Sequence, residues 1–209
     1  MNENVRANNH SLTGGVSSGD KMNGKHVALE PVDRGHMDAL VEVSLNTDFT
    51  WMSKPLFTRE DIAEYIEHAI AGSKNDSSYA FAVRLLDSNE IVGITGYLTV
   101  NRTHRRFEIG GTWLHRKVWG TFVNPETKFL LLQHAFEDWN ASRVQFVTDE
   151  NNIHSVNAIT KLGAKYEGML RNHKIRLNGL ARNSKVFSII DTEWPVIREL
   201  LKKRIDSFS

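Results

Sequence analysis

The stretch FEIGGTWLHRKVWGTFVNPETK, residues 107–128, combines a strand, a loop and a helix start in one run. Apolar residues and two adjacent glycines, Gly110 and Gly111, predict a strand that bulges or is closely approached by a ligand. Asn124, followed by Pro and Glu, predicts a capped helix start with an acid near the positive end of the dipole. Free backbone N–H groups at such a helix start predict an anion site.

The patterns on either side of this stretch extend it into a complete domain. A short strand at 26–30 precedes two helices, whose apolar stripes run from Met37 to Leu45 and from Ile62 to Gly72, where the second is expected to stop. Further strands and helices alternate along the rest of the chain, and Asp191 is expected to cap the last helix with Thr192. The order of elements predicts an α/β domain on a mixed sheet with helices on both faces.

Composition excludes several classes of protein. With 209 residues the chain fits one domain and a tail, and residues 1–24, rich in Asn, Gly and Ser, are predicted to be a flexible N-terminal tail. The net charge of +1 argues against a nucleic-acid binder, and the absence of cysteine excludes disulfides and cysteine nucleophiles. The nine histidines show no metal-ligand spacing, and no apolar run is long enough to span a bilayer. A cytoplasmic location is the default expectation.

Three polar residues could carry chemistry. Glu108 alternates with Phe107 and Ile109 and therefore faces the opposite side of the strand, where its carboxylate could act as a general base toward an amine. Asn152 begins a helix after the strand RVQFVTD, and Ser155 follows in its first turn, where its hydroxyl could protonate a departing thiolate. The alternatives are a solvated strand residue for Glu108 and a capping position for Ser155, and the residues alone leave them open.

Four separated strings agree in order with a known family: FEIGGTWL, WGTFVNPETKFLLLQHAFED, RVQFVTDENNIHSVNAITKLGAKYEGMLR and RNSKVFSIIDTEWP. Together they resemble the GNAT superfamily of N-acetyltransferases, and more closely the branch similar to ribosomal-protein-alanine N-acetyltransferases. The resemblance covers roughly residues 25–205.

The resemblance implies a single GNAT-like domain over 25–209, with a mixed, mostly antiparallel sheet. It places a splay between the strands 107–114 and 143–148, where the pantetheine arm of acetyl-CoA would lie, and it implies acetyl-CoA as co-substrate without a metal. The residues it assigns to cofactor binding are Trp113, Leu114, Lys117, Trp119, Gly120, Thr121, Asn124, Lys128, Asn152 and Asn157.

The same resemblance implies catalysis by Glu108 as base, with Asp149 or Glu150 behind it, and by Ser155 as acid. Ile159 stands where many members of the superfamily carry a tyrosine that acts as the general acid, so Ser155 would have to take that role. Phe122 departs from the family pattern, which has a small residue there, and predicts a looser pyrophosphate loop.

The expected reaction is transfer of an acetyl group from acetyl-CoA to a primary amine by direct attack on the thioester. The acceptor is expected to be a protein N-terminus or a small-molecule amine. A non-catalytic module that binds CoA or acyl-CoA is the alternative. A homodimer is left open, and a membrane partner is not expected. A nucleic-acid partner, contacted through the basic runs 104–106 and 116–117, is the least favoured alternative because the net charge is near zero.

Overall fold

The computed structural model describes residues 20–208 except 53 and 55. Within them lies one sheet of eight strands in the order β1-β2-β3-β4-β5-β6-β8-β7. The strands are β1 (Met22–Asn23), β2 (Val27–Pro31), β3 (Tyr79–Leu85), β4 (Ile91–Asn101), β5 (Arg106–Leu114), β6 (Arg143–Asp149), β7 (Lys165–Ile175) and β8 (Ala181–Ile190). The helices are α1 (Met37–Ser44), α2 (Arg59–Lys74), α3 (Val123–Gln133), α4 (Ile153–Thr160) and α5 (Trp194–Asp206).

The two halves of the sheet meet at one parallel pair of strands. Strands β5 and β6 pair only over residues 106–108 and 143–145, whereas all other neighbours are antiparallel. Beyond these residues β6 continues to pair with β8 and β5 continues to pair with β4, so the two parallel strands diverge. The predicted splay and the mostly antiparallel sheet are therefore confirmed.

Strand β5 bulges at its paired glycines, as predicted. Pairing runs from Ile94 opposite Trp113 to Gly96 opposite Gly110, so one residue of β4 faces two residues of β5. Gly111 has φ +61°, a left-handed conformation that residues with a side chain rarely adopt. The bulge reverses the alternation of side chains along β5 beside the point where the strands diverge.

Hydrophobic residues pack on both faces of the sheet, which confirms the predicted layers. One cluster joins the sheet to α3, α4 and α5, through residues such as Leu131 and Leu201. The second joins the other face to α1 and α2, through residues such as Leu40 and Ile62. Both helix layers thus hold the sheet by apolar burial.

Two helix boundaries differ from the sequence prediction. Leu45 is 71% exposed and Val43 is buried instead, because α1 ends at Ser44 and the helical periodicity stops with it. Gly72 lies inside α2, which continues to Lys74. The glycine is needed for close packing, since an added Cβ would lie 2.1 Å from the Ser78 Oγ. A glycine in a helix therefore marks a contact here, and its use as a stop signal was wrong.

The predicted caps of two further helices are also corrected. Helix α5 starts at Trp194 after Glu193, without a side-chain cap, and the Asp191 carboxylate accepts a hydrogen bond from the Thr192 N–H instead. Helix α3 starts at Val123, so Asn124 lies inside its first turn and is not the cap. Both errors displace a helix start by one or two residues, which is where local signals are weakest.

The predicted tail at 1–24 overlaps the described residues only at its end, because residues 1–19 lie outside them. Met22 and Asn23 pair with β2, so the sheet begins slightly before the predicted domain boundary at 25. The buried Glu126 accepts hydrogen bonds from the backbone N–H groups of Lys25 and His26, the second at 2.9 Å. An acid in the first turn of α3, expected to serve the helix dipole, also ties the chain entering β2 to this helix.

Lys128 is buried beneath the bulge, between α3 and the sheet. Its Nζ donates hydrogen bonds to Thr95 Oγ1 on β4, at 3.0 Å, and to Thr112 Oγ1 on β5. Desolvation by burial lowers the pKa of Lys128 to about 7. An amine in the core is tolerated here because it loses its charge readily and two hydroxyl groups accept its hydrogen bonds.

Replacing Gly96 by alanine is expected to lower the free energy of unfolding by about 1–3 kcal/mol, as overpacking does. The added Cβ would lie 2.1 Å from the Tyr79 carbonyl oxygen, and backbone must shift to make room. Gly110→Ala is the matched control on the facing strand, because its Cβ would meet only the Leu98 side chain, which can rotate. Urea unfolding measures both, and equal losses in the two variants would contradict this account.

The free energy of unfolding is expected to rise with pH through Lys128. The unfolded lysine has a pKa of about 10.4, so above about pH 7 the unfolded chain holds a proton that the folded chain lacks. The free energy of unfolding of wild type minus that of Lys128→Met should therefore rise by about 1.4 kcal/mol per pH unit between about pH 7.5 and 9.5. Urea unfolding at three pH values tests this, with Lys202→Met as a surface control, and a constant difference would refute it.

Candidate functional site

The opening between the diverging strands is flanked by two helix starts. Because β5 and β6 are parallel, both end at the same edge of the sheet, where α3 follows one and α4 follows the other. Each helix presents free backbone N–H groups and the positive end of its dipole there. Crevices beyond the carboxyl ends of neighbouring parallel strands are common ligand sites, particularly for anionic groups.

The loop at 115–122 connects β5 to α3 and is shaped by two residues. Gly120 has φ +77° and an added Cβ would find no atom within 4 Å, so only the backbone conformation requires a glycine. The Thr121 hydroxyl donates to the Val118 carbonyl at 2.7 Å and accepts from the Val123 N–H at 3.3 Å. Thr121 therefore stabilises the turn that leads into α3, whose N-cap residue is Phe122, and its hydroxyl already has two partners.

The bulk of Phe122 is accommodated away from the loop's open side. Its ring packs against that of His26, with 4.5 Å between centroids, and contacts the hydrophobic cluster beneath α3. The residue that departs from the family pattern is thus partly buried against the core. This packing removes the reason for expecting a looser loop.

Trp119 links the two sides of the opening. Its indole N–H donates to the Leu114 carbonyl at 3.0 Å, and its ring stacks on His154 of α4 with 5.2 Å between centroids. The indole is 42% exposed. It is therefore the predicted cofactor residue whose side chain lies most directly between the loop and α4.

Other members of the predicted cofactor set reach the opening through backbone or not at all. The Trp113 side chain is buried with α1 and α2, so only its backbone could meet a ligand in the opening. The Lys117 side chain forms an exposed ion pair with Glu90 on the β3–β4 turn. The Lys128 amine is buried and donates to Thr95 and Thr112 instead of facing the loop, so its cofactor role stays a prediction.

The start of α4 matches its sequence signal. Asn152 Oδ1 accepts a hydrogen bond from the Ser155 N–H at 2.9 Å, as expected of a helix cap. Ser155 is half-buried in the first turn, and Asn157 is exposed in the next. The cap role of Asn152 and the nearby position of Ser155 follow from this geometry, whereas the cofactor and acid roles of these residues stay predictions.

Glu108 lies where the two strands separate. Its Oε2 accepts a hydrogen bond of 2.7 Å from Gln145 Nε2, and these two residues form the last parallel pair between β5 and β6. The side chain is half-buried. A carboxylate at the vertex of the opening has access to a group bound between the strands.

The alternative base Asp149 is already committed to an ion pair. Arg176 donates from Nε and Nη2 to its two oxygens, at 2.8 and 2.9 Å. The hydrogen bonds from Arg176 hold the pKa of Asp149 below its usual range. A carboxylate stabilised as an anion is a weaker base, so the geometry favours Glu108. Glu150 lies 4.0 Å from Arg176 Nη2 and is more exposed.

A small cleft lies beside this ion pair and joins distant parts of the sequence. The segment between α1 and α2 forms one wall, and the β7–β8 hairpin forms the other. The residues that line the cleft are Thr50, Trp51, Met52, Asp149, Ile175, Arg176 and Arg182. No local pattern marks the two arginines as site residues, because only the pairing of β8 with β6 brings them to Asp149.

Two further features bear on the range of ligands. In the part of the chain that the structure describes, no group of three or more His, Asp or Glu side chains is arranged to hold a metal ion. None of the helices among those residues is both long and apolar enough to cross a bilayer.

Comparison with known proteins agrees with this geometry. The acetyltransferase (GNAT) domain family matches residues 26–165. A relative from Bacillus licheniformis, the uncharacterized N-acetyltransferase p20, is 25% identical over 114 residues, which span 54% of this chain and 63% of that protein. The chain thus matches less than two thirds of that relative's length.

Solved structures share the fold over most of the chain. A GCN5-related N-acetyltransferase from Brucella melitensis has a TM-score of 0.82 and 26% identity, covering 89% of this chain and 85% of that one. RimJ from Mycobacterium smegmatis, in complex with CoA-disulfide, has a TM-score of 0.73 at 19% identity, covering 85% and 88%. The splayed sheet, the two helix starts and the family match over 26–165 together show that this chain belongs to the GNAT acetyltransferase family.

Proposed function

We propose that this protein transfers an acetyl group from acetyl-CoA to a primary amine by direct attack on the thioester. The observation that carries the proposal is the opening between β5 and β6, which lies between two helix starts and has the Glu108 carboxylate at its vertex. The acceptor within this proposal is a protein N-terminus or a small-molecule amine.

The loop at 115–122 is suited to the diphosphate of CoA. Its backbone N–H groups and the start of α3 offer donors and a positive dipole end, and Gly120 keeps the chain free of a side chain there. Trp119 and Asn152 stand on either side of the path that the pantetheine arm would follow. The fold neighbour from Mycobacterium smegmatis holds a CoA-disulfide, which supports a CoA ligand for the same fold.

In this proposal, the bulge in β5 stabilises the negative charge that develops on the thioester oxygen. At a bulge, one residue is left out of the ladder, so a backbone N–H near Gly111 is available to donate toward the thioester oxygen. Donors aimed at a developing oxyanion lower the barrier of acyl transfer, because they are in place before the charge forms. The Lys128 contacts to Thr95 and Thr112 brace the two strands at this position.

In the proposed reaction, the amine nitrogen attacks the carbonyl carbon and the carbon–sulfur bond breaks. Glu108, oriented by Gln145, accepts the proton that the amine loses, directly or through water. Ser155 donates a proton to the departing sulfur and regains one from solvent. No covalent acyl-enzyme is involved.

The experiment that tests this function measures thiol release from acetyl-CoA with a panel of amines and peptides. Calorimetry with CoA is performed in parallel. An acetyltransferase binds CoA and releases thiol only when an acceptor is present. A non-catalytic binding module would bind CoA and release none, and failure to bind CoA at millimolar concentration would refute both.

Gly120→Ala is expected to weaken CoA binding by about tenfold, a loss of about 1.4 kcal/mol. An alanine at φ +77° is strained, so the loop should relax away from its binding conformation. Gly179→Ala is the matched control, because Gly179 has φ +78° in the β7–β8 turn and likewise finds no atom near an added Cβ. Calorimetry should show normal CoA affinity in the control, and equal affinities in both variants would count against the loop assignment.

Glu108→Gln is expected to lower kcat by about a hundredfold or more, since general base catalysis contributes that much. The affinity for CoA should be unchanged, because the carboxylate serves the amine and not the cofactor. Glu150→Gln removes a nearby carboxylate and serves as control. If steady-state kinetics show the loss in Glu150→Gln and not in Glu108→Gln, Glu150 is the base.

A further inference from the structure

Two guanidinium groups share one buried carboxylate in the cleft beside β6. Arg176 occupies both oxygens of Asp149 with a two-pronged hydrogen-bonded pair, which is the strongest arrangement these groups form. The second guanidinium, that of Arg182, reaches the same carboxylate only at 3.7 Å, which is too long for a hydrogen bond. The pairing of Asp149 with Arg176 therefore leaves Arg182 poorly satisfied.

Arg182 is nevertheless almost completely enclosed. Its side chain is 10% exposed, it lines the cleft, and its Nε has no hydrogen-bond partner among the residues that the structure describes. Arginine stays protonated in proteins, so its buried donors carry a full charge. Such groups are normally paired, and an exception calls for an explanation such as a ligand.

A second unsatisfied group lies next to it. Ser184 is two residues further along β8 and therefore points to the same face as Arg182. Its hydroxyl is buried and also lacks a hydrogen-bond partner in the described structure. Ser184 is paired with Asp149 across the strands, which places this second unsatisfied hydroxyl beside the carboxylate that Arg182 approaches.

The same face of the sheet carries the proposed base. Gln145 and Asp149 are separated by four residues on β6 and so share a face, and Gln145 binds Glu108. The Glu108 carboxylate is also close enough to contribute a favourable charge interaction to Arg182. An amine in front of Glu108 would thus have a guanidinium with an unused Nε donor within the reach of a small molecule.

We infer that the acceptor is a small amino acid that carries a carboxylate close to its reactive amine. This inference rests on the proposed function. Arg182 binds the carboxylate, and the amine is presented to Glu108. The side chain of the acceptor faces the wall that Trp51 and Met52 form. A carboxylate completes the charge-assisted hydrogen bonds that Asp149 leaves unmade.

The test compares the twenty L-amino acids with their amides as matched pairs in the thiol-release assay. Wild type is measured beside Arg182→Gln, Arg182→Lys and the control Arg198→Gln, an exposed arginine of α5 on the opposite side of the sheet. For the best acceptor, the acid should exceed its amide at least about tenfold in kcat/KM, the size of a hydrogen bond to a charged group. Arg182→Gln should remove that preference, and Arg198→Gln should keep it.

Each outcome separates this inference from the proposed function. If amides or peptides are acetylated as well as the acids, or if the preference survives Arg182→Gln, the inference is wrong and the acetyltransferase function stands. A purely structural role for Arg182 would lower the melting temperature and reduce acid and amide turnover alike, which also refutes it. If Arg182→Gln fails to fold, Arg182→Lys is used instead. It keeps the positive charge but loses the planar pair of guanidinium donors, so it should still weaken the preference for the acid over its amide.

A binding measurement decides the case in which no amine is turned over. That result would refute the proposed function. Calorimetry of the CoA-loaded protein with each amino acid and its amide then tests the carboxylate site without any need for turnover. Binding of an acid in wild type but not in Arg182→Gln supports the carboxylate site, and the absence of any binding refutes it.

Discussion

Strands β5 and β6 are hydrogen-bonded to each other over only three residues each, and the site depends on this short pairing. If the pairing continued, the sheet would be closed and its backbone groups would satisfy one another. Because it stops at Glu108 and Gln145, the strands diverge and the polar backbone groups that face the gap need another partner. The same divergence separates the starts of α3 and α4, so the proposed anion site and the gap arise together.

Several contacts hold the gap open and shaped. The bulge at Gly111 turns β5 away from the regular ladder, and the buried Lys128 amine bridges β4 and β5 behind it. Trp119 reaches from the loop to His154, so the two walls also touch at the outer edge. A glycine inside a strand costs conformational entropy and a buried amine costs desolvation, so each destabilises a fold when considered singly. They persist because the packing on both faces of the sheet determines their positions.

The charges around the gap are divided between two tasks. Asp149 is held as an anion by Arg176 and joins the β7–β8 hairpin to the end of β6. Glu108 is bound by a neutral amide instead and remains the carboxylate with the better access to an incoming amine. Asp149 therefore holds the hairpin in place, and Glu108 is left for the proposed role of general base, although both acids are on strands that border the gap. This division also leaves Arg182 as a cation with one distant partner.

Sequence patterns alone determined the features that depend on neighbouring residues. The strand with its bulge, the Asn152 cap and the order of strands and helices follow from backbone conformations that adjacent side chains favour. Family resemblance added the splay and the set of cofactor residues, of which Lys128 has its amine buried away from the loop. The start of α3 and the meaning of Gly72 were missed, because a helix end and a packing contact depend on more than local sequence.

Only the tertiary structure decided which side chains meet across the sheet. The partners of Lys128, the link from Glu126 to residues 25 and 26, and the approach of Arg176 and Arg182 to Asp149 join positions that are 16 to 101 residues apart. Strand register and the packing of α3 set these contacts, and a shift of one residue would send each side chain to the other face. Local sequence therefore specified the strands and helices that border the gap, and long-range pairing specified the charges that surround it.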